Sequence, residues 1–209
     1  LGDVYKRQVC NISRNRAYPD FKNDSKFNNL TENTMEILFK ANSFPNTLNT
    51  LMGIESNYLL RIGDATIPNN QLQVATSVNN CTSADLQLES GKWYHVAVAF
   101  NKGNVKVYIN GVEKLSGSTG KSSVSLGAKH TNEEDGSRCF WVGYSYKDDR
   151  YFDGVVSEVR IWNRALTAEE IQATNHFYTI EPESEGLIAY WKFDEGSGTV
   201  CLLYTSPSP

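Results

Sequence analysis

The chain of 209 residues lacks any run of ~18 uninterrupted apolar residues, so no segment has the length of a membrane-spanning helix. It also lacks a basic excess. Its 20 Lys and Arg stand against 24 Asp and Glu, a formal net charge of -4 with pI ≈ 5.4. A nucleic-acid partner would need a basic stripe, which this balance argues against. Histidine is scarce: His95, His130 and His176 lie far apart, with no paired metal spacing of the His-Glu-x-x-His kind. Gly-x-Ser-x-Gly and phosphate-cradling glycine loops are absent too, which removes the common hydrolase and nucleotide-binding signatures.

What is present is ordinary for a folded domain. Apolar residues make up 40% and charged residues 21%, enough for a core and too little charge for a disordered chain. The length fits one large domain or two small ones. The 11 Tyr, 9 Phe and 4 Trp lean towards β structure and stacking surfaces. Leu1 to Gln8 and Cys201 to Pro209 read as adaptor-derived ends, to be set aside in fold reasoning. Removing those eight and nine residues leaves 192 of the 209, drops Cys201, and reduces four cysteines to three. The expected domain is then 9–200.

The middle of the chain alternates at period two. In Trp93-Tyr-His-Val-Ala-Val-Ala-Phe100, the residues Tyr94, Val96, Val98 and Phe100 share one face, and His95 takes a structural place on the other. Asn101 to Asn104 is a turn, Val105, Val107 and Ile109 share a face, and Asn110-Gly111 follows directly. Asn-Gly between two such runs predicts a type I′ hairpin, so 93–116 is a three-strand meander. Further strands are predicted at 34–40, 59–62, 71–75, 139–143 and 155–162, separated by Asn/Gly/Ser/Thr-rich turns. Trp93, Trp141, Trp162 and Trp191 each lie in an alternating strand and read as core. Thr167-Ala-Glu-Glu170 is a capping box opening one short helix, with Leu166 and Ile171 as a hydrophobic staple. Glu181-Pro-Glu-Ser-Glu-Gly186 is a solvated acidic link, and Leu187 to Phe193 a last strand. The pattern predicts an all-β fold: an antiparallel two-sheet jelly-roll sandwich with one short helix near the C-terminal end.

Three segments together resemble the laminin-G-like jelly roll of the concanavalin A-like lectin/glucanase superfamily. They are Trp93-Tyr-His-Val-Ala with Val107-Tyr-Ile-Asn-Gly111, Phe152-Asp-Gly-Val-Val-Ser-Glu-Val-Arg-Ile-Trp162, and Asn163-Arg-Ala-Leu-Thr-Ala-Glu-Glu-Ile171. Gly186-Leu-Ile-Ala-Tyr-Trp-Lys-Phe193 resembles the family as well, although there it usually opens a module. Here it either closes this sandwich or begins a second one. The resemblance implies a module of a secreted or surface-exposed bacterial protein, of the kind found in glycan-utilisation systems. Enzymes of this fold carry Glu-x-Asp-x-Glu on one strand, aiming acid and nucleophile at one bond. This chain offers only Glu158 on its candidate strand, paired with Arg160 on the same face. Glu181, Glu183 and Glu185 alternate, but in a link that gives no rigid pair.

The expectation is therefore a non-catalytic carbohydrate-binding module with a glycan as partner. A structural or protein-interaction module docking a neighbouring domain is the alternative, and a glucanase-type glycoside hydrolase the third reading. Sugars need flat aromatic faces and planar polar groups. The richest local supply is Tyr144, Tyr146, Asp148, Asp149, Arg150 and Tyr151, which equally fits a Tyr-rich strand edge with a charged turn. The resemblance makes Ca²⁺ an expected cofactor. His130 to Gly136 supplies clustered oxygen ligands, without the order of an EF-hand loop. An extracellular compartment would let Cys81 and Cys139 pair, leaving one thiol over.

Overall fold

The computed structural model describes residues 10–11, 25–127, 140–145, 148–177 and 180–193. Both suspected adaptor-derived ends fall outside them. The strands are β1 (Cys10–Asn11), β2 (Glu32–Ser43), β3 (Asn49–Ile54), β4 (Tyr58–Asp64), β5 (Ile67–Thr76), β6 (Trp93–Asn101), β7 (Asn104–Ile109), β8 (Val112–Ser118), β9 (Trp141–Val142), β10 (Asp153–Trp162) and β11 (Leu187–Trp191). They form two antiparallel sheets. The larger is ordered β1-β10-β2-β6-β7-β8, with β11 also pairing β10, and the smaller β5-β4-β3-β9. This is the expected jelly-roll sandwich.

Alternation decides which face goes where. On β6, Val96, Val98 and Phe100 enter the interior between the sheets, with Tyr94 half-buried against it. They meet Leu60 and Ile62 of β4 and Leu72 and Val74 of β5 from the facing sheet. His95, Ala97 and Ala99 point the other way. Asn110 and Gly111 take φ of 50° and 79°, the two positive values that a type I′ turn requires, and Ile109 pairs with Val112 across it.

The outer face of the large sheet is covered. The single helix among the described residues, α1 (Ala168–Gln172), begins at the predicted capping box: Glu170 N donates to Thr167 Oγ1, and Thr167 N donates to the Glu170 carboxylate. Leu166 and Ile171 are buried with Ala97, Ala99, Tyr108, Trp162, Leu187 and Tyr190 in a second apolar cluster. A 3₁₀ turn, Thr174–Phe177, extends this cover.

The predicted strands are all present, with shifted ends. The 139–143 strand is reduced to Trp141–Val142 among the described residues. β3 was not predicted, because Asn-Thr-Leu-Met-Gly-Ile shows no alternation and is buried throughout. β11 pairs with β10, Val159 opposite Trp191 and Arg160 opposite Tyr190, so this strand closes the same sheet. Trp93 is half-buried at the start of β6 rather than in the core.

Candidate functional site: a polar cleft on the four-stranded sheet

The outer face of the small sheet is polar where its inner face is apolar. Arg61 sits between the core residues Leu60 and Ile62, so its side chain leaves by the opposite face. There it is nearly buried. Its Nε and Nη2 donate to Gln73 Oε1 on the neighbouring strand at 2.9 and 2.6 Å, and its guanidinium is ion-paired to Asp64 at the end of β4. A second pair closes the other wall: Arg150 Nη1 lies 2.9 Å from Glu55 Oε2. Asn46, Glu55, Arg61, Asp64, Asp149 and Arg150 are among the residues lining a cleft of about 480 Å³. Four of its charges are thus locked in two pairs, which fixes the direction of each planar group.

Beside the cleft stands a small aromatic cluster. Trp141 on β9 meets Tyr144 edge-on, with ring centroids 5.3 Å apart, and Tyr151 packs against this cluster. Trp141 lies opposite Gly53 across the β3–β9 pair. Asn46 Nδ2 donates to the Tyr151 carbonyl at 2.9 Å, which joins this cluster to the cleft wall.

The predicted site residues fall out as follows. Asp149 is exposed on the cleft and Arg150 forms its wall. Tyr151 is half-buried at its edge. Tyr144 is 4% exposed, so its ring supports Trp141 and offers no open face. Asp148 starts the 3₁₀ turn Asp148–Arg150. Tyr146 lies outside the described residues, as do Cys139 and the predicted cation loop 130–136. Cys81 is a buried free thiol whose Sγ lies 3.4 Å from the Ser118 carbonyl oxygen. The sequence reading passed over Glu55, Arg61 and Asp64. A signal existed for Arg61: it interrupts the apolar run Leu59-Leu60-Arg61-Ile62 at an outward position.

A second polar group lies under the cover of the large sheet. Glu158 and Arg160 form the predicted ion pair, both 2% exposed. The histidines depart from expectation. Distant in sequence, His95 and His176 come together with ring centroids 5.9 Å apart, on either side of Glu36. The reason is topological: β6 and β10 flank β2, and the 3₁₀ turn after α1 folds back over all three.

Comparison with known proteins agrees with this architecture. The model of the concanavalin A-like lectin/glucanases superfamily, in its laminin-G form, matches residues 15–172. A candidate carbohydrate-binding protein from Bacteroides ovatus superposes with a TM-score of 0.75 at 27% identity, over 94% of this chain and 55% of that one. The chain therefore spans about half the length of that protein. Domain 4 of the extracellular arabinanase AbnA from Geobacillus stearothermophilus, solved with arabinotriose, superposes at TM-score 0.53 and 25% identity, covering 70% of this chain and 68% of that one. A pentraxin from Limulus polyphemus shares the fold, with TM-score 0.56 at 16% identity over 85% and 84% of the two chains. Among curated protein sequences, none matches. With the family model covering most of the sandwich and the motifs of β6, β10 and α1 in their expected places, the chain belongs to the concanavalin A-like lectin/glucanase superfamily.

Proposed function

We propose that the chain is a non-catalytic carbohydrate-binding module of a secreted or cell-surface bacterial protein, and that its glycan lies in the cleft on the small sheet. The observation that carries this is the pair of fixed ion pairs, Arg61 with Asp64 and Arg150 with Glu55, lining one concave surface. A guanidinium and a carboxylate held in place present planar donors and acceptors at fixed angles, which suits the paired hydroxyls of a sugar ring. The volume of about 480 Å³ holds a short stretch of oligosaccharide. The description of the Bacteroides protein as a candidate carbohydrate-binding protein and the arabinotriose complex of the arabinanase domain support the same reading. Within the cleft, two arginines face three carboxylates. This balance favours neutral sugars over uronic acids.

The test is affinity electrophoresis against a panel of plant and bacterial polysaccharides, followed by a glycan array. At least one neutral polysaccharide retards the wild-type protein. Asp149→Ala weakens that retardation by roughly tenfold, above the ~1 kcal/mol that most interface truncations stay below, with unfolding temperature little changed, whereas Arg150→Ala weakens it as well and also lowers the unfolding temperature by leaving Glu55 unpaired. Wild-type silence on every glycan would sink the proposal and leave a docking or spacing module in its place.

A further inference from the structure

The buried group under the cover of the large sheet is not used by the glycan cleft. Glu36 of β2, His95 of β6 and His176 of the Thr174–Phe177 turn are 1%, 5% and 6% exposed. Each offers one donor atom, and the three atoms lie within 4.8 Å of one another. Glu36 is turned so that its two oxygens have different neighbours. Oε1 faces the imidazoles, 2.5 Å from His176 Nε2 and 3.4 Å from His95 Nε2. Oε2 faces away, accepting from Trp162 Nε1 at 2.8 Å and lying 3.7 Å from Arg160 Nη1. His95 Nε2 has no contact better than its 3.4 Å approach to Glu36, and its Nδ1 has no hydrogen bond. A buried polar atom without a partner is costly and calls for an occupant.

Arg160 is itself committed, paired to Glu158 and donating to the His176 carbonyl at 2.8 Å, and it approaches only the remote oxygen of Glu36.

The donor set selects the kind of occupant. Two of the three donors are imidazole nitrogens, whereas Ca²⁺ and Mg²⁺ take shells of oxygen. Zinc takes His nitrogen and carboxylate oxygen at about 2.0–2.2 Å, which sets tetrahedral donors roughly 3.3 Å apart. The Glu36–His95 separation of 3.4 Å already matches, and the Glu36–His176 contact needs to open by under about 1 Å, within reach of side-chain rotation. Trp162 and Arg160 hold the remote oxygen of Glu36, the role that outer partners play around metal-bound carboxylates.

We infer that Glu36, His95 and His176 form a site for a divalent transition-metal ion of the zinc class, which staples the segment after α1 to the outer face of the large sheet. This inference stands independently of the glycan cleft.

The experiment uses the full chain, stripped with a chelator and then titrated with Zn²⁺ and with Co²⁺. One equivalent of Zn²⁺ binds and raises the unfolding temperature. One equivalent of Co²⁺ gives visible d–d bands with no thiolate charge-transfer band, which excludes Cys81 and the other cysteines as ligands. His95→Gln and His176→Gln each weaken Zn²⁺ binding by at least ~100-fold and abolish its thermal effect, while Cys81→Ser leaves both intact. The inference is overturned if the wild-type protein takes up neither ion at micromolar concentration, if Co²⁺ shows a thiolate band, or if uptake survives the His95→Gln/His176→Gln double variant. Should the variants fail to fold, the stoichiometry and spectrum of wild-type protein decide the matter.

Discussion

At Gly53 the backbone runs at φ 123°, and a Cβ there would come within 2.3 Å of the Tyr58 carbonyl oxygen and 2.8 Å of Leu59 Cα. Both obstacles are backbone of the paired strand, so neither yields by rotating a side chain. Gly53→Ala therefore adds a steric clash to backbone strain of about 1–3 kcal/mol. Thermal unfolding should show a loss of at least ~4 °C for a domain of this size; a variant as stable as wild type would mean that β3 re-registers. Arg61 is the corresponding position in the proposed glycan cleft. Its fork reaches Gln73 and Asp64 at once, and an ammonium cannot reproduce both contacts. Arg61→Lys is expected to retain the charge, lower stability by about 1–2 kcal/mol, and weaken glycan retardation more than Asp149→Ala does. Equal glycan binding by Arg61→Lys and wild type would show that charge alone suffices there. Such residues are hard to read from sequence. Gly53 looks like any strand-breaking glycine, and Arg61 like a surface charge, until the register puts one against β4 and the other opposite Gln73.

The short helix is the element whose sequence signal is most complete. Leu166, Thr167, Glu170 and Ile171 state its start, and the structure uses all four. Thr167→Ala removes one side of the box and is expected to cost about 1 kcal/mol. Ile171→Ala removes a fully buried side chain and should cost about 2–5 kcal/mol. Acid tests the other side. Burial pushes the Glu170 carboxyl up, but the Thr167 amide and Arg164 outweigh it and leave it below the usual range. A carboxyl lowered in the folded state stabilises fully above its unfolded value of about 4.3, and loses that contribution as pH falls through the lowered one. The difference in unfolding temperature between wild type and Glu170→Gln should therefore be present at neutral pH and shrink below about pH 4. A constant gap across that range would assign the effect to shape, not charge. The hairpins were equally legible, since Asn110-Gly111 needs no tertiary context to turn. β3 was not, because a strand buried on both faces loses the alternation by which strands are recognised.

Across the whole molecule, the two polar groups share one cause of concealment. Each draws residues from elements that only strand order brings together, and Glu36 and His176 stand 140 positions apart. Spacing rules find ligands on one helix or loop; they are blind to a set gathered by β2, β6 and a turn arriving after β10. Strand order also makes β11 indispensable. Ile188, Ala189 and Trp191 enter the core between the sheets, while Leu187 and Tyr190 join the cluster under α1. This one strand therefore seals both faces of the large sheet, although the family match ends at 172. Truncating a buried Trp costs about 3–5 kcal/mol and a buried Leu or Ile about 2–5. The loss of Trp191, Leu187 and Ile188 alone thus approaches the whole stability of about 5–15 kcal/mol available to a domain. A chain ended at Gly186 should show no cooperative thermal transition and should bind a hydrophobic dye such as ANS at neutral pH, with much of its β-sheet circular dichroism retained. If it instead melts sharply within a few degrees of the full chain, β11 is an accessory edge, and the sandwich is complete at the turn after α1.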